Sequence, residues 1–170
     1  MTRIDTPASA AQAEGRIDTA AIRRLLAEVN DPEIPVLTIE DLGVLRDVRW
    51  EGEQLIVEIT PTYSACPAMQ AIEQDIYRVL RREGLRSVSL RTTLAPAWTS
   101  DWISEEGRRK LLEYGIVPPH RCGTQADPAV ACPRCGSGAT EIISGFGSTP
   151  CKALYRCRDC LEPFDYFKCL

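Results

Sequence analysis

The chain has 170 residues, of which 26% are charged and 44% hydrophobic, and its formal net charge is -4. This length suffices for one ordinary domain with its own core plus a small additional unit. The negative charge argues against a general surface for nucleic acid or anionic lipid, and no apolar run reaches membrane-spanning length. We therefore expect no nucleic-acid partner and no membrane association.

The start of the chain and its cysteines indicate the cellular setting. Residues 1–16 lack the apolar segment of a signal peptide, and we interpret them as a mobile tail of a cytoplasmic protein. In a reducing cytoplasm, clustered cysteines are more often metal ligands or reactive thiols than disulfides. Cys66 stands alone, whereas the other seven cysteines lie between Cys122 and Cys169, which predicts a domain boundary.

The first half of the chain predicts alternating helices and strands. Apolar residues recur at helical spacing over residues 17–29, after the capping residue Asp18, and predict a first helix. Residues 44–50 and 54–60 alternate in polarity around a glycine-containing turn and predict a β-hairpin. Residues 67–82 begin with proline and continue with helical periodicity, so they predict a second helix.

A strand is predicted at residues 87–94 and a third helix at 104–114. The order helix, hairpin, helix, strand is typical of a small α+β domain, which we place at residues 17–117. Two consecutive prolines then open a linker, residues 118–130, and residues 131–170 form a cysteine-rich unit that we call the ribbon.

The ribbon contains two Cys-x-x-Cys pairs, formed by Cys132 with Cys135 and by Cys157 with Cys160. Two intervening residues let both sulfurs of a pair reach one ion, and two such pairs are a specific signal for a tetrahedral zinc site. The 21 residues between the pairs leave room for a strand pair at 139–144 and 153–156. We predict a structural Zn²⁺ ribbon; two redox dithiols or an iron–sulfur cluster are the alternatives.

Three other cysteines of this region have weaker patterns. Cys151 follows a glycine-rich turn and precedes Lys152, and Cys169 is the penultimate residue after an aromatic stretch. Either is a possible additional thiol or a small buried apolar residue. Cys122 lies in the predicted linker, and its pattern indicates no role.

Cys66 is predicted at the N-terminus of the second helix, where free N–H groups and the helix dipole favour a thiolate. A thiolate binds metals and attacks electrophiles, but a cysteine that caps the helix and packs inward is equally consistent with the pattern. Asp31 and Glu33, on either side of Pro32, are either solvated charges at a helix end or carboxylates that lie near Cys66. The sequence alone does not bring them together.

Several motifs carry a resemblance to a known family. The segments are NDPEIP at residues 30–35, IEDLGV at 39–44, and TPT at 60–62, which leads to Cys66 and Pro67. They resemble the small iron–sulfur assembly domain of bacterial SufT and of the eukaryotic cytosolic iron–sulfur targeting factor. The resemblance covers roughly residues 17–94. It places the functional cysteine of that family on Cys66 and its acidic motif on Asp31 and Glu33.

The remaining motifs narrow the resemblance. They are WTSDWI at residues 98–103, YGIVPP at 114–119, the two knuckles, and FDYFKC at 164–169. Together they resemble the D subunits of phenylacetyl-CoA epoxidase systems of aerobic phenylacetate degradation. The resemblance implies an assembly-type domain with a metal-binding extension. It also implies partners, namely the di-iron oxygenase and the other subunits of the system.

We therefore predict an accessory subunit that assists iron or iron–sulfur maturation of the epoxidase, with structural zinc in the ribbon and iron or a cluster handled by Cys66, Asp31 and Glu33. No catalytic residue is predicted, because the single histidine, His120, cannot supply a di-iron carboxylate–histidine site. The alternatives are a stable docking subunit and a thiol enzyme that uses Cys66. A homodimer is a further option, because a second copy could complete the ligand set.

Overall fold

The computed structural model describes residues 16–122 and 130–170. The predicted tail therefore lies outside the described residues except for Arg16, and so does the stretch 123–129 of the predicted linker. No helix within the described ranges is both long and apolar enough to cross a bilayer.

The first part of the chain has the predicted order of elements. These are helix α1 (Thr19–Leu26), strands β1 (Leu45–Glu51) and β2 (Gln54–Ile59), helix α2 (Ala68–Arg82) and strand β3 (Val88–Thr92). Strand β2 lies at the centre of the sheet, antiparallel to β1 and parallel to β3. Helix α2 is the crossover that a parallel pair requires. The prediction of a mixed α and β fold is confirmed.

The main core of the molecule forms between the helices and the central strand. Both helices bury the apolar stripe that their sequences predict, and β2 buries most of its residues because it has a neighbour on each side. Side chains of these three elements that are buried include Ile22, Leu26, Leu55, Val57, Ile59, Ile72, Ile76 and Leu80.

Helix α1 ends at Leu26, three residues before the end of the predicted helix. A last turn follows, in which the N–H of Val29 donates to the carbonyl of Leu26 at 3.0 Å. The chain then leaves the helix: the carbonyl of Val29 accepts from Ile39 at 3.0 Å, and Asn30 forms a bridge with Thr38. Residues 30–38 therefore return toward the start of the sheet, and this return positions Asp31 and Glu33.

A short 3-10 helix (Ser100–Trp102) and helix α3 (Glu105–Glu113) follow β3. The Ser104 hydroxyl caps α3 by accepting from the N–H of Gly107 at 2.9 Å, as predicted for a helix start near residue 104. Burial alone would raise the pKa of Asp41, but hydrogen bonds from Lys110 and Thr38 hold it below its usual range. The Lys110 Nζ–Asp41 Oδ2 distance is 2.7 Å, and this pair ties α3 to the loop before β1.

The ribbon belongs to a second sheet with the strand order β4-β7-β6-β5. Its strands are β4 (Ile116–Val117), β5 (Thr140–Ser144), β6 (Lys152–Cys157) and β7 (Pro163–Phe167). The predicted strand pair is confirmed as β5 and β6, which are antiparallel. The sequence did not indicate β4 and β7, since β4 has only two residues and β7 begins with proline.

The two sheets are connected through the main core. Strand β4 lies before the predicted linker yet pairs in parallel with β7. Phe167 and Cys151 of the ribbon belong to the main core, and the Phe167 ring lies 6.1 Å from that of Trp98. The division into residues 17–117, 118–130 and 131–170 thus stays a prediction. Residues of the first and the last of these ranges pack in one core.

Gly43 offers a test of how the loop 39–44 packs. Its φ is +68°, and a Cβ there would lie 2.7 Å from both Cβ and the carbonyl oxygen of Trp102. We expect Gly43→Ala to lower the free energy of unfolding by about 2 kcal/mol or more, as measured by denaturant titration. Gly52→Ala is the matched control, because φ is +57° but nothing lies within 4 Å of its Cβ; it should cost only about 1 kcal/mol. Equal losses for the two variants would contradict this account.

Candidate metal centre and thiol site

The four predicted ribbon ligands converge on one point. The sulfurs of Cys132, Cys135, Cys157 and Cys160 all lie within 4.8 Å of one another. Two of these separations are 3.7 Å, for Cys132 to Cys160, and 3.6 Å, for Cys135 to Cys157. Zn–S bonds of about 2.3 Å in a tetrahedron place sulfurs about 3.8 Å apart. The donor set therefore fits a four-thiolate zinc ion, which leaves no position for water and favours a structural role.

Backbone groups of the knuckles support this site. The N–H of Cys160 points at Cys157 Sγ at 3.5 Å, and hydrogen bonds from the backbone of Cys160 and Asp159 lower the pKa of Cys157 to about 7. Gly136 follows the first pair with φ +74°, and Leu161 follows the second with φ +64°. Both knuckles thus turn beneath the sulfurs through a left-handed residue, although only the first has the glycine that favours it.

Cys66 lies where the sequence predicted, immediately before Pro67 and the first turn of α2. Its N–H donates to the carbonyl of Tyr63 at 3.1 Å, and its own carbonyl accepts from Met69 at 3.3 Å. The side chain is half-buried against the main core, and its sulfur is not part of a disulfide. The thiol is therefore available for chemistry.

Asp31 is buried, not solvated, and it shapes the loop that follows α1. Its Oδ1 accepts from the N–H groups of Glu33 and Ile34, each at 2.8 Å. Burial raises the pKa of Asp31, although these two bonds oppose the shift. Burial and the neighbouring Asp31 charge raise the pKa of Glu33 as well. The two carboxyl groups therefore hold protons more readily than exposed ones do.

Asp31→Asn should separate the structural role of this residue from its charge. Asparagine keeps an oxygen for the two N–H groups and removes a charge that is costly to bury. Because the folded-state pKa is raised, the stability that the protonated form contributes is lost as pH rises through that pKa. We expect Asp31→Asn to unfold at the same or a higher temperature than the wild type at about pH 7, with a difference that shrinks toward about pH 4.

Asp31→Ala is the matched control for that prediction. Alanine leaves both N–H groups without their acceptor and should lower the free energy of unfolding by about 1–2 kcal/mol. A clear fall in the unfolding temperature of Asp31→Asn at about pH 7 would show instead that the carboxylate charge stabilises the fold.

The structure brings two further residues, Tyr63 and Lys152, to the region of Cys66. Burial raises the pKa of Tyr63 to about 12, and the charges of Cys66, Glu33 and Cys151 add to this shift. Lys152 is only 3% exposed; its charge acts on Asp31 and Glu33, and its Nζ lies 3.7 Å from Asp165. The sequence pattern indicated Lys152 only as the neighbour of Cys151. It did not point to Tyr63, although Tyr63 lies in the segment that leads to Cys66.

We call this group of side chains the thiol site: Asp31, Glu33, Tyr63, Cys66, Cys151 and Lys152. It combines two thiols, two carboxyl groups, a phenol and an ammonium group. Among the described residues, only the four ribbon cysteines form a group of three or more histidine, cysteine or carboxylate ligands close enough to share one ion. The thiol site is therefore a neighbourhood of possible ligands and not a preformed coordination sphere.

Cys169 is not a free thiol in the structure. It forms a disulfide with Cys122, with the two Cα atoms 5.7 Å apart. The structure thus differs from the interpretation of Cys169 as a possible additional thiol or a small buried apolar residue, and no role was predicted for Cys122. The reason is that Ser100 brings the two segments together, since its Oγ lies 3.0 Å from Cys122 Sγ and its N–H donates to the carbonyl of Leu170 at 3.2 Å.

Comparisons with known proteins match two separate families to the part of the chain that contains Cys66 and to the part that contains the ribbon cysteines. A family model described as an iron–sulfur cluster assembly protein matches residues 19–90, and a PaaD zinc beta ribbon domain matches residues 117–168. A protein of Escherichia coli (strain K12), named as the D subunit of 1,2-phenylacetyl-CoA epoxidase, is 51% identical over 148 residues. The match covers 86% of this chain and 90% of that protein.

One solved structure shows a similar fold over 55% of the chain. A domain of unknown function from Bacillus anthracis superposes with a TM-score of 0.51 at 24% identity. The match covers 55% of this chain and 90% of the Bacillus anthracis chain. A conserved hypothetical protein from Thermotoga maritima has a TM-score of 0.49 at 26% identity, with 56% of this chain and 95% of its own covered. The sequence matches alone assign the family: the chain belongs to the PaaD family of phenylacetyl-CoA epoxidase D subunits, and an iron–sulfur cluster assembly domain precedes a zinc ribbon in it.

Proposed function

We propose that this chain is an accessory subunit that assists iron or iron–sulfur maturation of a phenylacetyl-CoA epoxidase, in cells that degrade phenylacetate. Iron or a cluster is the cargo, Cys66 is its thiolate ligand, and Asp31 and Glu33 act beside it. The oxygenase is the recipient. The ribbon zinc is structural and takes no part in the transfer.

The observation that carries the proposal is the set of ligand groups in the thiol site, which is incomplete for a permanent metal centre. Cys66 is half-buried, and Glu33 shares with it the surroundings of the Tyr63 hydroxyl. Thiolate and carboxylate groups are common iron ligands. A permanent metal centre needs a complete ligand set, whereas the described residues of this site do not bring three ligand atoms close enough together to share one ion. An incomplete ligand set suits cargo that must leave again for a recipient.

Production of the oxygenase with and without this chain tests the proposal. In cells that contain the other components, omission of this chain should leave the oxygenase folded but poor in iron. The measurements are iron per oxygenase by metal analysis and phenylacetyl-CoA epoxidation. Addition of Fe²⁺ and a reductant to the purified oxygenase should restore part of the activity. A full iron content in the absence of this chain would overturn the maturation role.

A stable docking subunit is the second candidate, and exposed apolar residues of the ribbon favour it. Ile142 and Ile143 of β5, Phe146 in the following turn and Leu161 after the second knuckle are 52–71% exposed. Several exposed large apolar side chains on a small unit are typical of contact surfaces. Stoichiometric co-purification with a fully iron-loaded oxygenase, whether or not Cys66 is present, would favour docking over maturation.

A further inference from the structure

The disulfide between Cys122 and Cys169 closes a loop around the whole zinc site. Its two cysteines are 47 residues apart in the chain, and all four ribbon ligands lie between them. The six other cysteines of the chain form no disulfide. This single cross-link therefore joins the two ends of the segment that the ion holds folded.

Both ends of this loop are attached to the 3-10 helix that precedes α3. The N–H of Cys122 donates to Asp101 Oδ1 at 3.0 Å. The N–H of Leu170, the residue after Cys169, donates to Ser100 Oγ at 3.3 Å, and the N–H of Ser100 donates to the carbonyl of Leu170 at 3.2 Å. Ser100 is itself fully buried. The disulfide thus lies where both ends of the ribbon segment meet one buried anchor in the first part of the chain.

The disulfide is accessible to a reductant, because Cys169 is exposed and Cys122 is half-buried. Ser100 Oγ lies 3.0 Å from Cys122 Sγ and 3.9 Å from Cys169 Sγ. Because this hydroxyl accepts from the N–H of Leu170, its own proton can point at either sulfur. A hydrogen bond to a sulfur stabilises the thiolate that forms when the S–S bond breaks. Exposed disulfides with a stabilised leaving thiolate are the ones that open and close reversibly.

We infer that the Cys122–Cys169 disulfide is a reversible redox site that determines how tightly the ribbon holds its zinc. A dithiol reductant supplies two electrons and two protons, the S–S bond breaks to give two thiols, and the reductant becomes a disulfide. The four zinc thiolates are neither oxidised nor reduced. The inference rests on the structural zinc of the ribbon and does not depend on the maturation role, because neither cysteine belongs to the thiol site.

The coupling arises from the unfolded state of the ribbon. Zinc binding and folding are one event in so small a unit, so the apparent zinc affinity includes the entropy that the unfolded segment loses. A cross-link between the ends of the segment removes part of that entropy before the ion binds. The chain-entropy model sets an upper limit of about a thousandfold tighter binding for a loop of roughly fifty residues. We expect reduction to weaken the apparent affinity at least about tenfold and to leave the site loaded when no chelator competes.

Competition with a colorimetric zinc chelator tests the inference on the full-length protein. The zinc-loaded wild type is titrated with its disulfide intact and after reduction by a trialkylphosphine, which takes oxygen from water and leaves two thiols. Alkylation and peptide mass mapping confirm the state of Cys122 and Cys169 in each sample. The matched control is Cys122→Ser/Cys169→Ser, titrated with and without the phosphine, because any effect on the zinc thiolates themselves would appear there as well.

The reduced wild type should hold zinc at least about tenfold less tightly than the oxidised wild type. The double variant should match the reduced wild type and should not respond to the phosphine. Equal zinc affinity in the two wild-type forms would overturn the inference. An equal loss of affinity when the phosphine is added to the double variant would also overturn it, because the effect would then not pass through this disulfide.

Reoxidation provides a second measurement that needs no variant, and it decides the matter if the double variant does not fold. After removal of the phosphine, oxidised glutathione should reform the Cys122–Cys169 bond and restore the original zinc affinity. A bond that resists reduction in the folded protein, or an affinity that stays low after the bond has reformed, would reject the reversible coupling.

Discussion

Replacement of Cys157 with serine is expected to release the ribbon zinc and to unfold the C-terminal sheet. Cys157 is fully buried in the small core of the ribbon, which is too small to fold without the ion. A structural four-thiolate site contributes on the order of 10 kcal/mol of apparent folding free energy. The measurements are zinc per chain and protease resistance of residues 140–167. In the variant, the zinc content should approach zero, and residues 140–167 should become cleavable.

Unfolding of the ribbon should also destabilise the iron–sulfur assembly domain, which the family model matches at residues 19–90. Phe167 and Cys151 leave the main core when β6 and β7 unfold, so the unfolding temperature of the remaining domain should fall. The variant Cys122→Ser/Cys169→Ser, which removes two cysteines that do not bind the ion, should keep its zinc and its protease resistance. A metal-free wild-type protein with an intact ribbon sheet would contradict the structural role of zinc.

The local elements of the fold were predictable because their signals are local. The periodicity of residues 67–82, the proline at its start and Gly84 after its end predict α2 to within one residue. The two Cys-x-x-Cys pairs predict the metal centre, because four thiolates at this spacing have few other uses. The helix is defined by neighbours in the sequence, and the metal centre by a ligand pattern that is recognisable although its two pairs are 21 residues apart.

Contacts between distant segments were not predictable. Strand β4 exists because Ile116 and Val117 pair with β7, almost fifty residues later in the chain. The approach of Cys151 and Lys152 to Asp31 and Glu33 depends on how the ribbon packs against the main core, which no motif specifies. The same reason explains the Cys122–Cys169 disulfide, whose partners are 47 residues apart.

Replacement of Cys66 with serine should leave the protein folded, zinc-loaded and without function. Serine is close to cysteine in size, and the Cys66 side chain is only partly buried against the main core. The free energy of unfolding should therefore change by less than about 1 kcal/mol. The change removes the thiolate on which the proposed cargo site depends. In cells that rely on this chain for phenylacetyl-CoA epoxidation, the oxygenase should be present but low in iron.

Ser64→Ala is the matched control, since Ser64 is an exposed residue of the same loop and should retain full support of epoxidation. The readouts are iron per oxygenase, epoxidation in cells, zinc per chain and the unfolding temperature of this protein. Normal iron and epoxidation with the Cys66→Ser protein would reject Cys66 as the ligand. A Cys66→Ser protein that loses epoxidation because it unfolds would return this cysteine to a packing role. Loss of oxygenase iron beside an unchanged unfolding temperature separates chemistry from packing, because packing alone would change both.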